Sequence, residues 1–197
     1  SGIIIIPAIY DRANGFSEGL AAVKKDNKCG FIDIKGNLVI PFQFQETSSF
    51  RNSMAAVKIE NKWTYINKEG KIIQTPVFSK ASIFLENDIA AIGINNRFGF
   101  VNKKLEYTIP PQFDSIDFMG ISSASNGGIF SSGLCLVKIE GKYGFINKQG
   151  KLVIKPQFTF ALPFNEGLAP VAIGEKVGFI NKDGEYVINP MYDGATP

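Results

Sequence analysis

The chain has 197 residues, of which 45% are hydrophobic and 17 are phenylalanine, and its 21 basic and 18 acidic side chains leave a net charge of +3. Such a chain is too apolar for disorder and long enough to bury a core, yet no run approaches the ~20 uninterrupted apolar residues of a membrane-spanning helix. Histidine is absent and there are only two cysteines, Cys29 and Cys135, which removes the commonest general base and nearly every transition-metal site.

In chain order, the first feature is the apolar run from Gly2 to Ile9. It lacks a basic region before it and a small-residue cleavage site after it, so it does not have the pattern of a signal peptide. Gly2, Pro7 and Tyr10 instead match Gly36, Pro41 and Phe44, so residues 1–15 are expected to hold the last strand of an incomplete repeat. Beyond it, Phe16, Phe50, Phe84, Phe130 and Phe164 mark five units, 16–49, 50–83, 84–129, 130–163 and 164–197, within one repeat domain. The third unit alone is long, through one extra residue near Asn87-Asp88 and an inserted stretch, DSIDFMGISSASNGG, between Phe113 and Phe130.

Three strand signals recur in each unit. The first covers Leu20 to Lys25 and its copies, where small and β-branched residues precede a surface residue. Two-residue turns at Asp26-Asn27, Glu60-Asn61, Glu140-Gly141 and Gly174-Glu175 then predict tight hairpins into an antiparallel second strand. That strand carries Gly30-Phe31, Gly99-Phe100, Gly144-Phe145 and Gly178-Phe179, with Thr64-Tyr65 as the deviant copy. Glycine weakens a strand, so its recurrence implies that a ring or a backbone passes close over it, as in an interlocking of adjacent units. A second turn, such as Asn147-Lys148-Gln149-Gly150, joins an Asx residue to a glycine three places on and fits a type I turn closing through a bulge. Leu105 replaces that glycine in the third unit, where the turn should be strained or differently shaped. The third strand stops at a proline followed by an aromatic, as at Pro41 and Phe44 or Pro156 and Phe158.

The signature F-x-E-G-L-A-x-V, then x-G-F-I-N/D-x-x-G, then V-I-x-P-x-F/Y resembles the bacterial WG-containing repeat family, also met as KWG repeats, over essentially the whole chain. In that family tryptophan commonly precedes the strand-two glycine. Here the slot holds Cys29, Trp63, Phe98, Tyr143 and Val177, and the one tryptophan stands where the glycine has become Thr64. The resemblance implies an interaction array, cytoplasmic or exported, with no catalytic residue to carry over. A weaker similarity links Asn61 to Lys71 to choline-binding cell-wall repeats, which are shorter and richer in tryptophan.

Candidate binding residues are Trp63 and Tyr65, as an aromatic ledge for a sugar or quaternary amine, and Met119, Ser122, Ser123 and Asn126 in the inserted loop. Against the ledge, an aromatic at a repeated slot is usually core. The turn lysines Lys35, Lys68, Lys148 and Lys182 suit an acidic partner or simple solvation, and Glu18, Glu86 and Glu166 share one slot whose regular spacing suggests a structural rather than a catalytic role. No loop of alternating acids marks a calcium site, and the two cysteines are read as free thiols.

The sequence therefore predicts an all-β tandem array of five three-stranded antiparallel units, open and solenoid-like, with a closed five-bladed propeller-like ring as the rival. The expected function is a non-enzymatic scaffold for protein–protein interaction, its partner another protein or a further domain of the same polypeptide. The alternative is a carbohydrate or cell-envelope ligand module using Trp63, Tyr65 and Tyr143. No metal or cofactor is expected, and the scattered charge argues against nucleic acid.

Overall fold

Sheet formation follows the repeat. The computed structural model describes residues 5–75, 77–85, 88–116 and 129–194, and all regular structure among them is β-strand. The first sheet takes β1 (Arg12–Ala13), β2 (Leu20–Lys25), β3 (Lys28–Asp33) and β4 (Leu38–Phe44) in that spatial order. The second has β5 (Glu46–Thr47), β6 (Ala55–Ile59) and β7 (Lys62–Ile66). The third comprises β8 (Lys80–Ala81), β9 (Ile89–Ile94), β10 (Arg97–Asn102) and β11 (Tyr107–Phe113). The fourth runs through β12 (Ser115–Ile116), β13 (Cys135–Ile139), β14 (Lys142–Ile146) and β15 (Leu152–Phe158), and the fifth through β16 (Phe160–Ala161), β17 (Ala169–Ala172), β18 (Val177–Ile180) and β19 (Tyr186–Tyr192). The all-β tandem array is as predicted, and each sheet gains a two-residue strand from the residues ahead of its marker phenylalanine, across the inserted stretch in the case of the fourth. The chain divides into two compact units, Ser1–Asn95 with Phe100–Glu106, and Asn96–Gly99 with Tyr107–Pro197.

Within the first unit, β2 and β3 are buried on both faces. Leu20, Ala22 and Phe31 pack with Phe50, Val57 and Ile66 of the second repeat, while Ala21, Val23 and Ile32 face the other way toward Ile6 and Tyr10. Small residues in the first strand suit a sheet covered on both sides, because consecutive sheets approach over them. The recurrent link is aromatic: the strand-two ring of one repeat meets the marker phenylalanine of the next, Phe31 on Phe50, Tyr65 on Phe84 and Phe145 on Phe164, each with ring centroids 4.8 Å apart. Phe16, with no such ring against it among the described residues, is 48% exposed.

The strand-two glycine is explained by backbone, and by backbone of its own repeat. In the fourth sheet Tyr143 pairs with Phe158 and Phe145 with Ile154, so three residues of β15 bulge over Gly144. A Cβ there would stand 2.7 Å from both Ile154 O and Pro156 N. Gly30, Gly99 and Gly178 face their own third strands in the same way. The expected interlocking of adjacent units at this glycine is thus corrected: the close approach is an intra-repeat bulge at the proline, where a missing N–H costs no ladder bond. Thr64 is the test case within the chain. Opposite it no third strand is found among the described residues; the bridges Trp63↔Phe78 and Ile66↔Ile72 and the bond from Ile73 N to Tyr65 O stand in its place, and Thr64 Oγ1 donates to Gln74 O at 2.6 Å.

The second turn behaves as predicted. Asn147 Oδ1 accepts from the N–H groups of Gln149 and Lys151, and Gly150 closes the turn at φ 78°. A Cβ on Gly150 would stand 3.0 Å from Ile109 Cγ1, and Gly36, Gly70 and Gly184 face Ile6, Ile40 and Ile154 likewise. Leu105 keeps the same bonds, with its N–H on Asn102 O at 2.9 Å, but sits at φ 62°. The turn is therefore strained but not reshaped. Left-handed backbone costs about 1–2 kcal/mol for such a residue, and burial of its side chain with Tyr65, Phe78 and Phe84 returns about 1.5–3 kcal/mol.

Two expectations are corrected. Residues 5–10 enter no ladder, because no strand lies beside them among the described residues, although Ile6 still seats on Gly36 as Ile40 does on Gly70. The fifth hairpin is also wider than two residues, since Ala172 pairs with Val177. The bulge gives a prediction. Gly144→Ala should lower stability by about 1–3 kcal/mol in urea unfolding, whereas Gly174→Ala, with no atom within 4 Å and no positive φ, should stay within about 0.5 kcal/mol.

Candidate binding site

The residue one place before the strand-two glycine lies in a row of side chains across each sheet, and this row differs from repeat to repeat. In the second sheet Glu46 pairs with Lys58 and Lys58 with Trp63. The carboxylate of Glu46 binds Lys58 Nζ at 2.7 Å, and that ammonium also stands 5.9 Å from the Trp63 ring centroid. In the fourth sheet Lys138 pairs with Tyr143, its Nζ 4.9 Å from the ring centroid. Lysine is thus held over an aromatic face in both.

The first sheet has the same lysine without these partners. Arg12 pairs with Lys24, and Lys24 pairs with Cys29. The thiol is much smaller than an indole or phenol, and an open pocket of about 150 Å³ lies here, with Arg12, Asn14, Lys24, Cys29, Gln45 and Glu46 among its lining residues. The buried Ala22, which packs on the same face as Cys29, also lines it. Neither Arg12 nor Lys24 makes an ion pair or side-chain hydrogen bond among the described residues. Burial pushes the Cys29 thiol above its ordinary value, Glu46 adds to that, and Lys24 and Arg12 oppose it. The protonated thiol donates to Gln45 O at 3.7 Å. Neither cysteine forms a disulfide, in line with the sequence reading.

The residues singled out from sequence separate. Tyr65 is fully buried and its hydroxyl donates to Ser82 O at 2.8 Å, so it is a core residue and no part of a ledge. Burial also drives its phenol pKa upward. Trp63 is half-buried against the cluster of Tyr65 and Phe78, with Lys58 over its ring. Met119, Ser122, Ser123 and Asn126 lie outside the described residues, as does Glu86. Among the described residues no group of three or more Cys, Asp and Glu side chains is placed to hold a metal ion.

Glu18 turns out to join two repeats. Its carboxylate accepts from Ser53 N at 3.0 Å and pairs with Lys68 Nζ at 3.1 Å, while Ser17 Oγ donates to Phe50 O at 2.6 Å. Asn52 Nδ2 reaches Leu85 O at 2.5 Å in the next step of the same ladder. Lys68 is therefore engaged between repeats, whereas Lys35, Lys148 and Lys182 are exposed. Sequence inspection missed the pocket, although the Cys29 slot and its lysine were legible once the strand register was known.

The chain belongs to the WG-containing repeat family, whose model matches residues 1–29, 30–63, 63–97, 98–119, 143–176 and 178–197. No curated protein matches the sequence. Similar solved structures include a eukaryotic initiation factor, 11% identical with a TM-score of 0.53, covering 91% of this chain and 56% of that one. Hsv2 of Kluyveromyces lactis is 10% identical with a TM-score of 0.49, over 86% of this chain and 58% of that one. PorZ of Porphyromonas gingivalis, described as a bacterial surface component of the type-IX secretion system, is 12% identical with a TM-score of 0.41, over 95% and 26%. This chain spans little more than half the length of the first two, and the likeness to the initiation factor is one of fold alone.

The Glu18 link predicts a pH dependence. Desolvation alone would raise its pKa, but the hydrogen bond and charge of Lys68, with the Ser53 N–H, hold it below the ordinary 4.5. Its contribution is then fully present above that unfolded value and is lost as pH falls through the folded one. Glu18→Gln should cost about 0.5–1 kcal/mol at neutral pH, and the gap to the unsubstituted protein should close in thermal melts as the pH drops below that range.

Proposed function

We propose that this WG-repeat array is a non-catalytic scaffold whose third strands present a surface to another protein. The observation that carries this reading is the recurrent exposure of large apolar side chains on those strands. In the first compact unit Leu38 and Val39 are 49% and 45% exposed, and in the next repeat, where an isolated bridge stands in for the third strand, the exposed Ile72 holds the same slot as Leu38. In the second, Tyr107, Leu152 with Val153, and Tyr186 with Val187 occupy the corresponding positions, and all are exposed.

Each third strand is the outer strand of its sheet, and its bulge and proline blunt the backbone edge against indiscriminate pairing. Edge protection does not require outward leucine, valine or tyrosine. Their recurrence supports contact with an apolar partner surface, since scattered exposed residues would not keep one slot from repeat to repeat.

The test replaces Leu38, Val39, Leu152 and Val153 with lysine, changes that fall on exposed side chains and should leave the melting temperature nearly unchanged. Retention of protein partners from a lysate of the source organism should fall at least about tenfold in this variant. Retention of polysaccharide in place of any protein, equally by both forms, would overturn the proposal in favour of a glycan module.

A further inference from the structure

We infer that the first repeat carries a binding site for an anionic aromatic group, formed by Arg12, Lys24 and the pocket over Cys29. The template is the protein's own second repeat. There the row reads Glu46, Lys58, Trp63, and Lys58 has both a carboxylate at 2.7 Å and an aromatic ring near its ammonium. In the first repeat both partners are exchanged together: arginine stands in the place of the acid and cysteine in the place of the ring. What the lysine lacks is a negative charge and an aromatic face, and one ligand can bring both.

The pocket has the size and lining for this. About 150 Å³ is the scale of a cavity that takes a six-membered aromatic ring. Ala22, on the same face as Cys29, supplies apolar contact, Lys24 a cation at the ring position seen in the second and fourth repeats, and Arg12 a planar fork suited to a carboxylate. Two like charges directly opposite one another on neighbouring strands destabilise a sheet, so Arg12 and Lys24 together favour an anion between them. The one acid in the lining, Glu46, is already engaged by Lys58. The Asn14 side chain adds a polar group at the rim.

The experiment uses calorimetric titration of the whole chain with indole-3-acetate and benzoate. Indole, which has the ring without the charge, and cyclohexanecarboxylate, which has the charge without the aromatic face, serve as controls. Peptides ending in tryptophan, with a free or an amidated C-terminus, distinguish a free aromatic acid from a protein terminus as the source. Saturable binding of an aromatic acid or the free-carboxylate peptide is expected, with each control at least about tenfold weaker and with affinity falling as salt rises. Cys29→Trp should fill the pocket as Trp63 does, and Arg12→Glu should restore a Glu–Lys pair as in the second repeat; each should weaken binding at least about tenfold. Arg12 is exposed, so its variant decides the matter if Cys29→Trp does not fold. Equal binding by either folded variant, equal binding of the non-aromatic acid, or no saturable binding of any aromatic acid or peptide would overturn the inference.

Discussion

A sheet of three or four short strands cannot cover both of its faces, and in this chain each repeat relies on its neighbour to do so. The contact that joins them is the aromatic pair between a strand-two ring and the next marker phenylalanine, with centroids 4.8 Å apart in Phe31–Phe50, Tyr65–Phe84 and Phe145–Phe164. Edge-on rings add about 0.5–1.5 kcal/mol beyond the area they bury, and the larger contribution is burial of a whole phenylalanine. The polar ladder follows the same step: Ser17 to Phe50, Asn52 to Leu85 and Ser131 to Phe164 each tie one turn to the next repeat's backbone. Stability in such an array is a sum of units and of nearest-neighbour contacts, so these pairs are where cooperativity resides.

Much of this was legible in the sequence because the repeat supplies its own controls. Five phenylalanines in register revealed the repeat, and the paired Asx and glycine residues located the turns. The strand-two glycine pointed correctly to a close approach, but not to which chain segment approached, since a bulge is a property of strand register rather than of composition. The short fourth strand was illegible for a different reason. Two residues such as Arg12-Ala13 or Glu46-Thr47 carry no periodicity and become a strand only because a neighbouring edge is there to pair with.

The candidate sites show the same division. Tyr65 looked available as an aromatic and is instead the second repeat's version of Phe31, its hydroxyl satisfied by a backbone carbonyl. The Cys29 pocket went unread because its meaning lies in a cross-strand row, where residues far apart in the chain, Arg12, Lys24 and Cys29, replace Glu46, Lys58 and Trp63. Glu18, read from its spacing as structural, finds its partners Ser53 and Lys68 in the following repeat.

The second and third repeats carry linked departures. Thr64 stands in the glycine slot with no third strand opposite it among the described residues, Gln74 takes the slot of Ile40, and the next repeat answers with Leu105 where Gly70 would be. Elsewhere an isoleucine lies 3.0–3.5 Å from where a Cβ on that turn glycine would stand, so a leucine turn is compatible only with a neighbour that has given up its isoleucine. The repeats are therefore addressed rather than interchangeable: the identity of one dictates which sequence can follow it. Insertion of another repeat between the second and the third, or transfer of either alone, would separate Leu105 from Gln74, which makes these two repeats together, rather than either singly, the module that could be copied intact.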